Sequence, residues 1–388
     1  MTKPPTALLI LVALAAVHAC VPRNIAGPDP ATPGRLVIIG GALKPNNAGV
    51  YETIVDARAG DGPLCVVPTA SADPREAMDA AVGTLAEYGG VGSAKGILIS
   101  TEDPSQAQDP SVVAQLATCS GFFFTGGSQS RILDVFLPGG DTTDAYRTLW
   151  KRWQEGAVVS GTSAGAAMMS RVMISGGSST EAVTHGVAAD RDSDGVQIRA
   201  GMGFFGAGVL DQHFLARGRI GRLLVSVLQE GSPPIGLGID ENTALVVDGE
   251  SAVVLGTSGV VVVDSRFAER TEPHRASRFR LSLAGAGDVI DLRSLEVRRG
   301  STKSRVPVTE ASLELPVDPL ARWAFLHVMV GLAATSTREA TFTVAGATLR
   351  VAEDVGFSAF MTESTGGAEG TPAGLSAGPF RVDLLPGS

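Results

Sequence analysis

Val158-Val159-Ser160-Gly161-Thr162-Ser163-Ala164-Gly165-Ala166-Ala167-Met168-Met169 reads as a buried strand, a sharp turn at Ser163 and then a helix. Gly161-Thr162-Ser163-Ala164-Gly165 fits the G-x-S-x-G pattern of a nucleophile elbow. A serine hydroxyl is a weak nucleophile and must project to where a base can reach it. Small residues on both sides let strand and helix cross closely while the seryl backbone sits in a strained conformation. The helix that follows turns its free N–H groups and positive end toward the reacting centre.

Working outward, apolar runs alternate with helical spacing. Arg35-Leu36-Val37-Ile38-Ile39-Gly40-Gly41 and Leu64-Cys65-Val66-Val67 are continuous apolar strands, as are residues 94–100 and Gly121-Phe122-Phe123-Phe124. Residues 75–88, 110–118 (starting at Ser111) and 144–155 have helical spacing. This alternation predicts an α/β fold, a parallel sheet flanked by helices. Sites in such sheets lie at the carboxyl ends of the strands, where Gly126-Gly127 and Ser163 fall.

Beyond the elbow, residues 175–201 read as loop. Within them Asp190-Arg191-Asp192-Ser193-Asp194-Gly195 starts like a calcium loop, but Gly201 stands where the twelfth-position carboxylate belongs. A solvated acidic loop is expected. Residues 208–214 end a strand, 217–230 form a helix, 235–247 are strand, turn and strand, and 252–264 read as a β-hairpin around Gly256 and Gly259. After residue 266 helical alternation fades, short strands appear and residues 319–334 form a core helix or strand. Residues 362–378 read as a loose tail rich in small residues.

At 388 residues two folded units are expected. The net charge of −9 argues against nucleic acid or an anionic membrane as main partner. Lys3 followed by an apolar run over 7–17 reads as a secretory signal peptide, too short to span a bilayer. Val17-His18-Ala19-Cys20 resembles a lipobox, which would place a lipid anchor on Cys20. The expected location is therefore exported: secreted, periplasmic or an outer-membrane lipoprotein. Cys65 and Cys119 lie in or beside apolar runs and are expected as two buried thiols, with a disulfide as the rarer outcome.

A serine nucleophile needs a base, and the base an orienting acid. Of five histidines, His213 sits at a strand end beside Asp211, Gln212 and Arg217, Arg219 and Arg222. His185 is a minor candidate, and His327 reads as structural. Glu241, at the turn after a buried strand, suits the acid; Asp211 and Asp240 are its rivals. No cluster has catalytic metal spacing, and no cofactor is expected.

Phe124-Thr125-Gly126-Gly127-Ser128-Gln129, the elbow, Asp211-Gln212-His213-Phe214 with its three arginines, and Gly238-Ile239-Asp240-Glu241-Asn242-Thr243-Ala244 together resemble the cyanophycinases. These are serine peptidases of the S51 group, related to the aspartyl dipeptidases. The resemblance runs from about residue 35 to 264, with the motifs in order. It implies a flavodoxin-like sheet of the class I glutamine-amidotransferase type; serine rather than cysteine at the elbow argues against an amidotransferase itself. It implies Ser163 as nucleophile, His213 as base and Glu241 as acid, with Gly127 and Ala164 N–H groups as oxyanion hole. Gln129, Asp211 and Gln212 would contact the substrate or orient its neighbours, and Arg217, Arg219 and Arg222 would clamp substrate carboxylates. That substrate would be cyanophycin, poly-aspartate bearing arginine on each β-carboxyl, released as β-aspartyl-arginine; other aspartyl or isoaspartyl peptides, and a silent binding homologue, are the alternatives. The arginines are expected on one helix, at least one of Arg219 and Arg222 pointing at substrate carboxylate. The chain thus divides into a signal peptide (1–19), a tether (20–34), a peptidase unit (35–266) and a β-rich region of unassigned role (267–388). A homodimer stays open.

Overall fold

The computed structural model describes residues 33–190, 192–362 and 374–387. The expected signal peptide and Cys20, nearly all of the tether, and residues 363–373 of the expected loose tail lie outside them.

The first half builds the alternation that the sequence predicts. Strand β1 (Leu36–Ile39), helix α1 (Ala48–Asp56), β2 (Leu64–Val67), α2 (Pro74–Gly89), β3 (Ala94–Gly96), α3 (Pro110–Ala117), β4 (Gly121–Phe124), α4 (Gln129–Phe136), α5 (Asp144–Gln154), β5 (Val158–Thr162) and α6 (Ala164–Ala167) follow in order. Neighbours β1, β5, β4, β2 and β3 pair in parallel. Both faces are covered, which is why these strands are apolar throughout. Leu36 and Ile38 enter one core with Phe122, Phe124 and Leu149, while Val37 and Ile39 enter the other with Val50, Ile54 and Leu85. Helix α3 is capped by Asp109, whose carboxylate accepts from Ser111 and Val112 N–H, so the start lies before Ser111.

Residues 175–201 carry more structure than a loop. Strand β6 (Val172–Gly176) pairs with β7 (Gln197–Ala200), and α7 (Ser179–His185) between them opens on a capping box of Ser178 and Glu181. Asp190 accepts from Asp192 N–H and Ser193 Oγ within its own turn. Among the described residues no group of His, Cys, Asp and Glu is placed to hold a metal.

Strand β8 (Val209–Asp211) leads through a tight turn to α8 (Ile220–Leu228), then β9 (Ile235–Ile239), β10 (Thr243–Asp248), β11 (Ser251–Gly256) and β12 (Gly259–Asp264). Two sequence expectations change here. Helix α8 begins at Ile220, so Arg217 and Arg219 precede it and only Arg222 lies on it. Strands β11 and β12 do not pair: β11 continues the first sheet beside β10, which lies antiparallel to β1. Strand β12 instead pairs with β9, in a second sheet.

The remainder supplies β13 (Glu269–Glu272), β14 (Arg275–Gly285), β15 (Val289–Asp291), β16 (Val297–Arg298), β17 (Ser304–Arg305), α9 (Ala324–Ala334), β18 (Glu339–Val344), β19 (Ala347–Met361) and β20 (Ser376–Pro386). Strands β15 and β16 complete the first sheet, a mixed sheet ordered β16-β15-β11-β10-β1-β5-β4-β2-β3. The second runs β17-β19-β20-β14-β12-β9-β8. It crosses residue 266 without interruption through the β12–β14 pairing. Phe325, Met329 and Leu332 of α9 share a core with Val261, Phe279 and Phe380. His327 on that helix is exposed, contrary to the structural role expected of it.

Cys65 and Cys119 form a disulfide, where two free thiols were expected. Cys119 precedes β4, the parallel neighbour of β2, and this brings the two Cα atoms to 5.8 Å.

Candidate active site

The site sits where both sheets end. Ser163 follows β5 with φ 55° and ψ −111°, a conformation that L side chains rarely adopt. The sequence allows it: a Cβ on Gly161 would lie 2.4 Å from Gly165 O, so only glycine lets the chain double back this tightly. Ala164 is the first residue of α6, and its N–H has no intrahelical acceptor. Gly126 at the end of β4 packs against Ser163, with its virtual Cβ 3.4 Å from the serine Cβ, and Gly127 follows.

His213 comes from the second sheet, two residues beyond β8. Its φ is 49°, and its N–H donates to Gly40 O at 2.6 Å. The imidazole lies against Gly41, where any Cβ would fall 2.3 Å from Nε2. Nε2 is 2.9 Å from Ser163 Oγ, and Nδ1 is 2.6 Å from Glu241 Oε1. A carboxylate only accepts, so the Nδ1–H donates to Glu241 and Nε2 is left to accept from the serine hydroxyl. Burial pushes the His213 pKa below the usual imidazole value; the hydrogen bond to Glu241 opposes this, and Arg217 adds to it. The neutral ring, a base, is thereby favoured at neutral pH.

The turn that carries Glu241 is itself anchored. Asp240 is fully buried, and its Oδ1 accepts from the N–H groups of Leu215 and Ala216, while Ser258 Oγ donates to Oδ2. Asn242 N–H donates to Gly41 O, and Asn242 Oδ1 accepts from Lys44 N–H and Asn47 Nδ2. Asp240 and Asn242 thus tie the turns around His213 and Glu241 together. The sequence offered Asp240 only as a rival acid and did not single out Asn242; the signal lay in the unbroken Ile239-to-Thr243 motif.

The residues expected at substrate part company. Arg222 is buried and grips Asp211 through Nε and Nη2 at 2.7 and 2.5 Å, with Nη1 donating to Gly177 O. The two charges are paired with each other, so Asp211 orients a neighbouring side chain and Arg222 does not stand free for a substrate carboxylate; Asp211 makes no contact with His213 among the described hydrogen bonds. Arg219 donates to Gln212 O at 2.6 Å and lies 3.5 Å from Asp211. Gln129 Nε2 donates to the carbonyls of Ile174 and Ser175. Gln212 is buried, with its Oε1 unpartnered. Arg217 is exposed, its Nε 3.8 Å from Glu241 Oε1. Arg217 and Arg219 line a polar depression of about 330 Å³ beside Glu181. His185, the minor base candidate, is exposed in the last turn of α7 and sits by Asp194, not by Ser163. A cavity of about 760 Å³ around Arg280, Arg299 and Phe360 holds none of Ser163, His213 and Glu241, so the chemistry locates the site elsewhere.

A family model for peptidase family S51 matches residues 36–255, the span from β1 to β11 that contains all three of these side chains. The chain belongs to peptidase family S51. It is 30% identical over 276 residues to a cyanophycinase from Synechococcus elongatus, covering 68% of this chain and 81% of that protein. It is 31% identical over 249 residues to a cyanophycinase from Nostoc sp., covering 63% and 78%. A crystal structure of a peptidase from an acI-B1 Actinobacterium superposes with a TM-score of 0.51 at 18% identity, over 68% of this chain and 98% of that one. The S51 member described here is a serine-type peptidase.

Proposed function

We propose that the protein is an exported cyanophycinase that cleaves the poly-aspartate backbone and releases β-aspartyl-arginine, with Ser163, His213 and Glu241 as its triad. The observation that carries this reading is the chain Ser163 Oγ to His213 Nε2 at 2.9 Å and His213 Nδ1 to Glu241 Oε1 at 2.6 Å. Ser163 Oγ attacks the scissile carbonyl as its proton passes to His213 Nε2. His213 then protonates the leaving amine as the C–N bond breaks. Water attacks the acyl-serine as its proton passes to His213, which returns it to Ser163 Oγ as the acyl C–O bond breaks, releasing the carboxylic acid and the free serine. N–H groups of Gly127 and Ala164 are assigned to the oxyanion. Glu241 holds the imidazole in the tautomer this cycle requires. Arg217 and Arg219 are the cations assigned to substrate carboxylates, since Arg222 is paired with Asp211. Export, with a lipid anchor at Cys20, rests on the amino-terminal sequence, and the Cys65–Cys119 disulfide supports it, because such bonds persist in oxidising compartments.

The test is clearing of an insoluble cyanophycin suspension, with products identified by mass. Ser163→Ala is expected to fold and to lose turnover by about 10⁴-fold or more. Near-normal turnover in that variant would remove the serine from the mechanism.

A further inference from the structure

One face of the site is unlike the other. Ser163 and His213 open onto a cleft of about 370 Å³ whose wall contains no lysine, arginine, aspartate or glutamate. One side is the alanine face of α2, where Ala77, Ala80, Ala81 and Thr84 recur at helical spacing. The other is Leu43 and Pro45 from the loop after β1, with Tyr51 between. This wall is braced: Tyr51 and Tyr88 stack at 5.0 Å, and Tyr88 Oη donates to Pro45 O at 2.7 Å. At the base, beside Ser163, lie Thr125 and Thr162, each with its buried hydroxyl unpartnered. Thr125 is 5% exposed. A buried hydroxyl without a partner in an open-mouthed apolar cleft is a donor and acceptor waiting for one.

We infer that this cleft is a subsite for an uncharged, apolar residue flanking the bond that is cut, with Thr125 and Thr162 bonding the backbone of that residue. The volume falls at the small end of ligand sites, about 300–1,000 Å³, and suits one or two residues rather than a polymer. Desolvating a guanidinium or carboxylate against these walls would cost free energy that nothing there returns. The charged groups of a substrate belong instead to the side of Arg217 and Arg219. The peptidase is therefore built to cut mixed aspartyl peptides carrying an apolar neighbour, in addition to the charged polymer. This rests on Ser163 being the nucleophile.

The experiment is kcat/KM of the full mature protein on short aspartyl peptides in which the residue flanking the aspartyl bond, on either side in turn, is Leu, Arg or Glu. At one of the two positions Leu is expected to exceed Arg and Glu by about ten-fold or more, the scale on which apolar pockets discriminate. Ala80→Glu, at an exposed rim position, is expected to reverse the order in favour of Arg. Ala77→Phe, which fills the cleft, is expected to lower Leu cleavage by about ten-fold while leaving binding of anions at the arginine side unchanged. Cleavage lost with Ser163→Ala but indifferent to Leu, Arg and Glu, in the parent and both variants, would overturn the subsite alone. Cleavage that survives Ser163→Ala would overturn the nucleophile, and the subsite with it.

Discussion

At the scale of single residues, the site depends on His213 being neutral. Its pKa is held below the ordinary imidazole value chiefly by burial, with the Glu241 hydrogen bond pulling the other way. The neutral ring accepts the serine proton, so kcat/KM falls as pH drops through that value. The acid limb is expected below the ordinary imidazole pKa of about 6.5. In Glu241→Gln the upward pull is lost, so the limb moves further toward acid while the rate falls. A pH–rate profile on a soluble aspartyl peptide measures both. A limb that moved to higher pH in the variant would mean that Glu241 does not act on the imidazole. In the sequence Ser163 stands out through the elbow motif, whereas His213 and Glu241 have rivals in His185, Asp211 and Asp240, and it is the resemblance to the cyanophycinases that favours them. Arg222 was not legible in the same way. It lies eleven positions from Asp211, and nothing local says that both side chains are buried against each other.

Among the elements, the turn between β9 and β10 carries the most. Its two strands read as neighbours in sequence, yet β9 pairs with β8 and β12 while β10 pairs with β1 and β11. The turn Asp240-Glu241-Asn242 therefore steps from one sheet to the other and carries Glu241 to the point where both end. Sequence could not show this, because equal apolar runs fit either sheet. The same ambiguity made β11 and β12 read as a hairpin. Which strand takes which neighbour is decided by what covers each face, a long-range property. Asp240 holds the step in place, and burial pushes its carboxyl up to about 6 from an ordinary 3.8. A raised carboxyl pKa means that the folded state binds the proton more tightly than the unfolded one. Its contribution to stability is thus present below about pH 4 and lost as pH rises through about 6. Asp240→Asn keeps an oxygen for Leu215 and Ala216 N–H but never ionises. Its melting temperature relative to the parent is expected to rise between pH 5 and pH 8. A difference that stays flat or falls over that range would show that the carboxylate is not held against its ionisation.

Over the whole molecule, the peptidase strands and the later β-rich region are one construction. The second sheet passes from β8 and β9, which deliver His213 and Glu241, through β12 and β14 to β20 and β19. Lys303, Asp288 and Ser376 form a buried cluster across that region, with Lys303 Nζ 2.6 Å from Asp288 and 2.8 Å from Ser376 Oγ. The change of composition after residue 266 was visible in sequence; the continuity of hydrogen bonding across it was not, since pairing partners lie far along the chain.

The same scale decides the fate of the three cysteines. Cys65 and Cys119 close a loop 54 residues apart in sequence, which constrains the unfolded chain by about 2–4 kcal/mol. Their pairing was hidden because a separation of that length says nothing about approach; only the parallel register of β2 with β4 brings them together. Cys20 is the remaining thiol. Alkylation of the purified, denatured protein without reductant therefore separates the proposals by count. No modified cysteine is expected if the chain is exported, bridged and carries a diacylglyceryl thioether on the Cys20 sulfur. One modified cysteine, mapped to Cys20, keeps the bridge and removes the lipid anchor. Modification of Cys65 and Cys119 would remove the bridge, and with it the structural support for an oxidising compartment. In the bridged protein, reduction or Cys65→Ala with Cys119→Ala is expected to lower unfolding stability in urea by that same order while leaving the Ser163–His213 geometry, and hence kcat, near the parent value.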